Sequence, residues 1–226
     1  MEWSPILISL RTACVSMIFT FFLGLAAAKW VVQLRNGWVK AVIDGIFTLP
    51  LVLPPTVAGF FLLYIFGVYR PFGRFLAEYL GVRIVFSPPA TVIAAVIISF
   101  PLMYRAARGA FEQVDPGLAD AARMLGVSEW KIFTRILVPN ASSGILSGAV
   151  LAFARGIGEF GATAMIAGNI AGKTRTLPLA IYSEVAAGNM DKAGIYVAIL
   201  LIISFTAVVL MNVFERRRNF RKKGRA

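Results

Sequence analysis

Three stretches without a charged side chain constrain the fold of this chain more than any other feature. Residues 45–69, 84–104 and 193–214 contain no Asp, Glu, Lys or Arg. A helix of about 20 apolar residues crosses a bilayer core of roughly 30 Å, so we expect one transmembrane helix in each stretch. The composition agrees, because 58% of the residues are hydrophobic, compared with about 45–50% in soluble domains.

Two further stretches are predicted to cross the membrane although they contain charges. Residues 6–28 carry only Arg11, whose long side chain can reach the interface. Residues 141–162 are uncharged until Arg155 and Glu159. We therefore predict one all-α integral membrane domain, 1–226, with about five spans, at about 6–28, 45–68, 84–104, 141–162 and 193–214. The first span lacks a small-residue cleavage site, so we expect it to be retained. Whether residues 163–192 re-enter the membrane stays open.

The distribution of lysine and arginine predicts the orientation of these spans. With a cytoplasmic C-terminus, the inside segments 29–44, 105–140 and 215–226 hold 15 basic residues, and the outside segments 69–83 and 163–192 hold 6. Basic residues favour the cytoplasmic side, so we expect the N-terminus outside and the C-terminus in the cytoplasm. The basic tail follows a span directly, which favours contact with anionic membrane lipid over nucleic acid.

Two glycine-containing stretches resemble nucleotide-binding loops, but neither fits. The stretch 156–161, GIGEFG, has the dinucleotide spacing, yet it lies at a predicted membrane helix and not between a strand and a helix. The stretch 168–174, GNIAGKT, has one residue too few between its glycines for a phosphate-binding loop. The chain has no histidine and a single cysteine, Cys14, which we interpret as core packing. We expect no cofactor, no metal site and no enzyme catalysis.

The segment 105–140, predicted to be cytoplasmic, carries the start and stop signals of two short helices. Asp115 and Pro116 are suited to begin the first helix, and Gly126 is suited to end it. The second helix is expected to stop at Pro139. One face of the first helix is predicted to hold Leu118, Ala121, Ala122 and Leu125. Periodicity leaves two interpretations open: the helices lie against the membrane bundle, or the first enters a groove on a soluble partner.

The stretch 120–139, DAARMLGVSEWKIFTRILVP, resembles the EAA motif of ABC-importer permeases. Asp120 stands in place of the Glu of the motif, and its two alanines and its glycine match Ala121, Ala122 and Gly126. The closing Ile-x-Leu-Pro of the motif is similar to the residues that end at Pro139, with Val for Leu. Residues 47–67 and 154–182 look like the corresponding stretches of molybdate permeases, which have the sulfate/thiosulfate permeases as near relatives.

The resemblance implies a type I ABC importer permease in a bacterial cytoplasmic (inner) membrane. Such proteins form a dimeric pore from two copies, pair with two ABC ATPase subunits that hydrolyse the ATP, and receive an oxyanion from an extracytoplasmic binding protein. The helix 116–125 is then implied to dock into the ATPase. Molybdate is the implied cargo, with tungstate and sulfate or thiosulfate as alternatives. A secondary transporter working alone is a weaker rival, because few ionisable residues lie in the predicted spans to relay protons.

Candidate pathway residues lie in the second and fourth spans. Pro54 and Pro55 interrupt an apolar helix, and broken helices often line transport pathways, although a packing kink is an equal alternative. Thr56 follows directly and has a hydroxyl to offer an oxyanion. Arg155 and Glu159 are four residues apart and lie on one helix face. We interpret them as a structural ion pair, with a gate or pathway role as the alternative.

Overall fold

The structure is a computed structural model that describes residues 2–223, with side chains as far as residue 213, and every regular element described is a helix. The helices are α1 (Ser4–Val32), α2 (Gly37–Val52), α3 (Pro55–Phe66), α4 (Pro71–Tyr79), α5 (Pro88–Glu112), α6 (Pro116–Met124), α7 (Glu129–Ile132), α8 (Val138–Asn140), α9 (Ser142–Ile157), α10 (Gly161–Ala167), α11 (Leu177–Ala186) and α12 (Met190–Lys223), and a π-helical turn, Phe133–Leu137, joins α7 to α8. The predicted all-α membrane fold is confirmed. The basic side chains of the tail lie outside the described residues, so their contact with lipid stays a prediction.

Three helices are long and apolar enough to cross a membrane unaided, and two further spans are bent pairs. The three are α1, α5 and α12. The axes of α2 and α3 meet at 111°, and those of the segment Glu129–Asn140 and α9 meet at 75°. The predicted span 45–68 is therefore not one helix. Its break has a local cause, because Pro54 and Pro55 have no N–H with which to continue the hydrogen bonds of α2.

The two halves of the broken pair α2–α3 pack along opposite halves of α5. Phe47 of α2 contacts Phe100 and Tyr104, in the C-terminal half of α5, with ring centres 5.4 and 5.2 Å apart. Ala58 of α3 packs in one cluster with Ala94, in the N-terminal half of α5. The two halves of the pair thus contact different parts of α5.

The fourth span and the loop before it differ from the predicted bounds. α5 ends at Glu112, so the predicted cytoplasmic loop 105–140 begins inside a helix. The charged residues after position 104 do not end this helix, because the charge of Arg108 is paired with that of Asp44 in α2. α9 ends at Ile157, and a separate helix starts at Gly161, so the predicted span 141–162 also contains a break.

The centre of the subunit is formed by α1, α5 and α9. Hydroxyl pairs join α1 to α5: Thr12 to Thr91 at 2.8 Å and Thr20 to Ser99 at 3.0 Å. Such pairs satisfy polar groups that the bilayer cannot hydrate. Cys14 is exposed on α1, so its interpretation as core packing is wrong; its neighbours in the sequence face α5 instead.

The surfaces of α2 and α12 are largely apolar and exposed. No residue of α2 is buried, and large side chains such as Leu201 and Phe205 of α12 are exposed. In a membrane protein such faces contact lipid or another subunit. Between the spans, the backbone N–H of Leu177 in α11 donates to the hydroxyl of Ser9 at 2.7 Å, which holds the segment 163–192 against α1.

Candidate functional site

Helix α6 begins and ends close to where its sequence signals predict. The carboxylate of Asp115 accepts a hydrogen bond from the backbone N–H of Gly117 at 2.9 Å, and Pro116 is the first helical residue. The helix ends at Met124, and Gly126 has a φ of 71°. Residues with a Cβ adopt this left-handed conformation only with strain. Both ends of α6 are therefore defined by local chemistry.

The predicted apolar face of α6 is divided between the interior of the loop and solvent. Ala122 is buried against Ile132 of α7, whereas Leu125 is 83% exposed. Of the four residues predicted to share one face, only Ala122 is buried, because α7 and the π turn fold beneath α6 and cover it. Met124, which sequence reasoning missed, is 88% exposed. The exposed apolar residues form what we call the docking surface: Leu118, Ala121, Met124 and Leu125.

A single arginine braces α6 against α7. The guanidinium of Arg123 donates to Asp120 at 2.7 Å and to Glu129 at 2.6 Å. The hydrogen bond from Arg123 holds the pKa of Glu129 below its ordinary value. These groups are exposed, so water screens their attraction and its effect on stability is small. Their geometric effect is to give Asp120, the variant position of the motif, a partner inside the loop.

The second helix of the loop does not stop at Pro139 as predicted. The helical path runs through the π turn to Asn140 and only then bends into α9. Proline lacks an N–H, and its ring crowds the carbonyl four residues earlier. The wider π turn directly before Pro139 accommodates both defects. Lys29 at the end of α1 lies 4.3 Å from the ring centre of Phe133, and this cation–π contact joins α1 to the loop.

The candidate pathway residues of two different spans meet at one place, which we call the paired break: residues 53–56 and 158–161. A Cβ added to Gly161 would lie 3.1 Å from the Cβ of Pro55 and 3.2 Å from the backbone nitrogen of Thr56. One turn further along α3, a Cβ on Gly59 would lie 2.7 Å from the Cα of Ala162. The two breaks can approach this closely only because glycine stands at both contacts. Pro54 and Thr56 are exposed on the subunit surface beside them.

Glu159 and Arg155 form the ion pair that their spacing predicts. The Nη1 of Arg155 lies 2.8 Å from the Oε2 of Glu159, whose side chain is only 2% exposed. The other carboxylate oxygen accepts the backbone N–H of Ala162 at 2.8 Å. Glu159 thus also satisfies a free donor at the start of α10, a role that sequence reasoning missed. Whether the pair acts as a gate or in the pathway stays a prediction.

The described residues hold no group of three or more His, Cys, Asp or Glu side chains arranged to bind a metal. They do contain ionisable groups that the predicted spans did not include. Asp44 and Arg108 pair between α2 and α5, within helices whose charged ends had been assigned to cytoplasmic segments.

Three comparisons with known proteins bear on this arrangement. The family model described as binding-protein-dependent transport system inner membrane component matches residues 20–220. The molybdenum transport system permease protein ModB of Escherichia coli (strain K12) is 38% identical to the chain, covering 99% of it and 97% of ModB. The sulfate transport system permease protein CysW of Synechocystis is 31% identical, covering 97% of the chain and 79% of CysW.

Solved structures of ABC transporters share the fold. A chain of the MetNI methionine ABC transporter in an inward-facing conformation aligns with a TM-score of 0.73 at 18% identity, covering 95% of this chain and 94% of that one. A chain of a bacterial ABC transporter involved in the import of alginate aligns with a TM-score of 0.79 at 15% identity, covering 95% and 78%. At these identities the likeness concerns the fold alone.

Proposed function

Because this chain belongs to the family of binding-protein-dependent transport system inner membrane components, we propose that it carries molybdate across the membrane as the permease subunit of an ABC importer. Its family makes it an inner-membrane transport subunit and not an enzyme, with an ATPase and an extracytoplasmic binding protein as partners. The observation that supports molybdate is the 38% identity to a molybdenum permease along almost the whole of both chains. Sulfate is the second candidate, supported by the 31% identity to CysW.

Uptake into proteoliposomes that contain the permease, the ATPase and the binding protein tests the cargo. We expect ATP-dependent uptake of radioactive molybdate, competition by unlabelled tungstate, which has the same charge and shape, and no competition by a tenfold excess of sulfate. Vesicles without ATP are the control. Uptake of sulfate with no uptake of molybdate would transfer the assignment to the sulfate permeases.

Two copies of the chain form the pathway in this proposal, with one ATPase under each. Homo-oligomers are most often two-fold symmetric, and the uncovered faces of α2 and α12 provide apolar surface for a partner and for lipid. The distribution of basic residues supports an orientation with the N-terminus outside and the loop that contains α6 in the cytoplasm. In that orientation the docking surface points to the compartment that holds ATP.

The docking surface is proposed to enter a groove on the ATPase. Ala121 and Ala122 are adjacent in sequence, yet one is exposed and the other is buried, so they form a matched pair for a test. Ala121→Glu should abolish ATPase binding without disturbing the loop, because its side chain points away from Ile132. Ala122→Glu should unfold the loop, because an unpaired charge would enter an apolar cluster.

Co-purification with the ATPase, together with limited proteolysis of the loop, distinguishes these effects. Ala121→Glu should lose the ATPase and keep the protease resistance of the wild type. Ala122→Glu should lose both. If Ala121→Glu retained the ATPase at normal stoichiometry, the docking surface would not be the contact.

The paired break is proposed to line the anion pathway. Thr56, which is exposed beside the break, offers a neutral hydroxyl donor to a passing anion. Arg155 contributes little attraction for an anion, because Glu159 neutralises it. A pathway of weak neutral contacts suits transport, since the binding protein supplies selectivity and a tight site in the pore would retain the cargo.

A further inference from the structure

Five side chains join α2 to α5 in a continuous polar network, which we call the charge ladder: Lys40, Asp44, Tyr104, Arg108 and Glu112. Asp44 accepts the hydroxyl of Tyr104 at 2.9 Å and pairs with Arg108. One helical turn closer to the loop, Lys40 pairs with Glu112 at 2.9 Å. The Nε of Arg108 lies 3.1 Å from the same carboxylate, so Arg108 bridges both rungs.

The ladder is the main polar attachment of α2 to the subunit. No residue of α2 is buried, and its principal apolar contact with α5 is Phe47 against Phe100 and Tyr104. The ladder side chains are between 22% and 40% exposed at the two ion-paired rungs. Charged hydrogen bonds in such partly dehydrated positions are stronger than the same bonds in water. The ladder therefore determines how closely α2 follows α5.

One end of the ladder adjoins the loop, and the other end lies about two helical turns from the paired break. Glu112 is the last residue of α5, three residues before Asp115, the cap of α6. From Asp44, α2 continues for two turns to Val52 and then breaks at Leu53 and Pro54, in the paired break. The loop is continuous with α5, and α2 is joined to α5 by the ladder and by the packing of Phe47.

We propose that the charge ladder couples the ATPase-docking loop to the paired break, so that α2 and its broken end move with α5 when the loop moves. This inference rests on the proposed function of the loop and the break. The ladder residues act as positioning residues: they contact neither the cargo nor ATP. Arg108 is the central member, because it alone bridges both carboxylates.

The ratio of molybdate transported to ATP hydrolysed, measured in the reconstituted complex, tests the ladder. Arg108→Met removes both bridges while leaving the docking surface intact. We expect stimulation of ATP hydrolysis by the loaded binding protein to persist, while transport per ATP falls roughly twofold to thirtyfold, the range of energetic couplings measured along such networks. Tyr104→Phe, which removes one hydroxyl, should lower the ratio less.

Arg105→Met is the matched control, since it removes the same charge three residues earlier on α5 from an exposed residue that acts on the ladder only through longer-range attraction to Asp44. It should lower the ratio far less than Arg108→Met does. If Arg108→Met left the ratio unchanged, or lowered transport and hydrolysis in equal proportion, the ladder would not be a coupling element. If the wild-type complex transported no molybdate, the proposed cargo would fail instead, and the transported anion would replace it in the same measurement.

Discussion

Substituting Gln for Glu159 removes the charge from a carboxylate that is 2% exposed while keeping an oxygen to accept the N–H of Ala162. Breaking a buried ion pair costs about 3–5 kcal/mol when the remaining charge cannot reach water. Arg155 is 33% exposed, so water solvates the cation that remains, and we expect a loss of about 1–2 kcal/mol, below that range. Glu159→Ala also removes the cap of α10, which adds about 1 kcal/mol.

The reverse substitution, Arg155→Met, is expected to cost more. It leaves the carboxylate of Glu159 buried, without a cation and with one hydrogen bond, so the full range of about 3–5 kcal/mol applies. The double variant Arg155→Met/Glu159→Gln should be more stable than Arg155→Met, because no buried charge remains unpaired. The expected order of stability is therefore Glu159→Gln, then Glu159→Ala, then Arg155→Met.

Thermal unfolding of the purified complex in detergent measures this order. A loss of 1 kcal/mol corresponds to a decrease in Tm of about 2–4 °C for a chain of this length, so the three single variants should be resolved. If Arg155→Met were more stable than Glu159→Gln, the reasoning from burial would be refuted. The transport rate of Glu159→Gln, measured at a temperature at which the variant stays folded, distinguishes a structural role of the ion pair from a role as a gate. A wild-type rate supports a structural pair, and a lower rate supports a gate.

Three further predictions concern the loop and the orientation of the chain. Gly126→Val should destabilise the end of α6 by about 1–2 kcal/mol, because its φ of 71° strains a residue with a Cβ; hydrogen exchange of the loop amides no faster than in the wild type would contradict this. The Arg123–Glu129 contact stabilises the loop slightly, and fully only above the ordinary pKa of Glu129, 4.5; this stabilisation is lost as the pH falls through the lowered pKa of the folded state. The protection of the loop amides, taken relative to the intrinsic exchange rate at each pH, should therefore fall slightly at low pH, and Glu129→Gln should lose this dependence. In a Cys14→Ser background, Asn36→Cys should be shielded from an impermeant thiol reagent in intact cells and Asn189→Cys should react; labelling of position 36 alone would reverse the orientation.

The features that the sequence predicts well are those with local causes. Absence of charge over 20 or so residues marks the spans, and the signals at Asp115, Pro116 and Gly126 mark α6, because caps depend on neighbouring backbone alone. The ion pair of Arg155 and Glu159 is likewise local, since residues four apart on a helix are neighbours.

The features that the sequence does not predict depend on contacts between distant segments. Arg105 ends an apolar run, which predicts the end of the third span there, yet α5 continues because α2 supplies Asp44 and Lys40 as partners for the charges that follow. Ala122 has the periodicity of an exposed contact face, yet the chain returns ten residues later and places Ile132 over it. Neither partner is recognisable until the relative positions of the helices are known.

The positions of the helices also determine how much of the transport per ATP can be lost when the charge ladder is removed. Two routes connect the loop to the paired break. The first runs along α5 and passes through the ladder to α2, and the second is α9. α9 begins at Ser142, directly after the loop, and ends at Ile157, beside Gly158. Its 16 residues span about 24 Å without an interruption, and it packs against α5 where small residues meet, Gly144 on Ala110 and Gly148 on Ala106. Because α9 connects the loop to one side of the break covalently, loss of the ladder should release only the α2 side. Partial uncoupling, and not complete loss of transport, is therefore the result that this architecture requires of Arg108→Met.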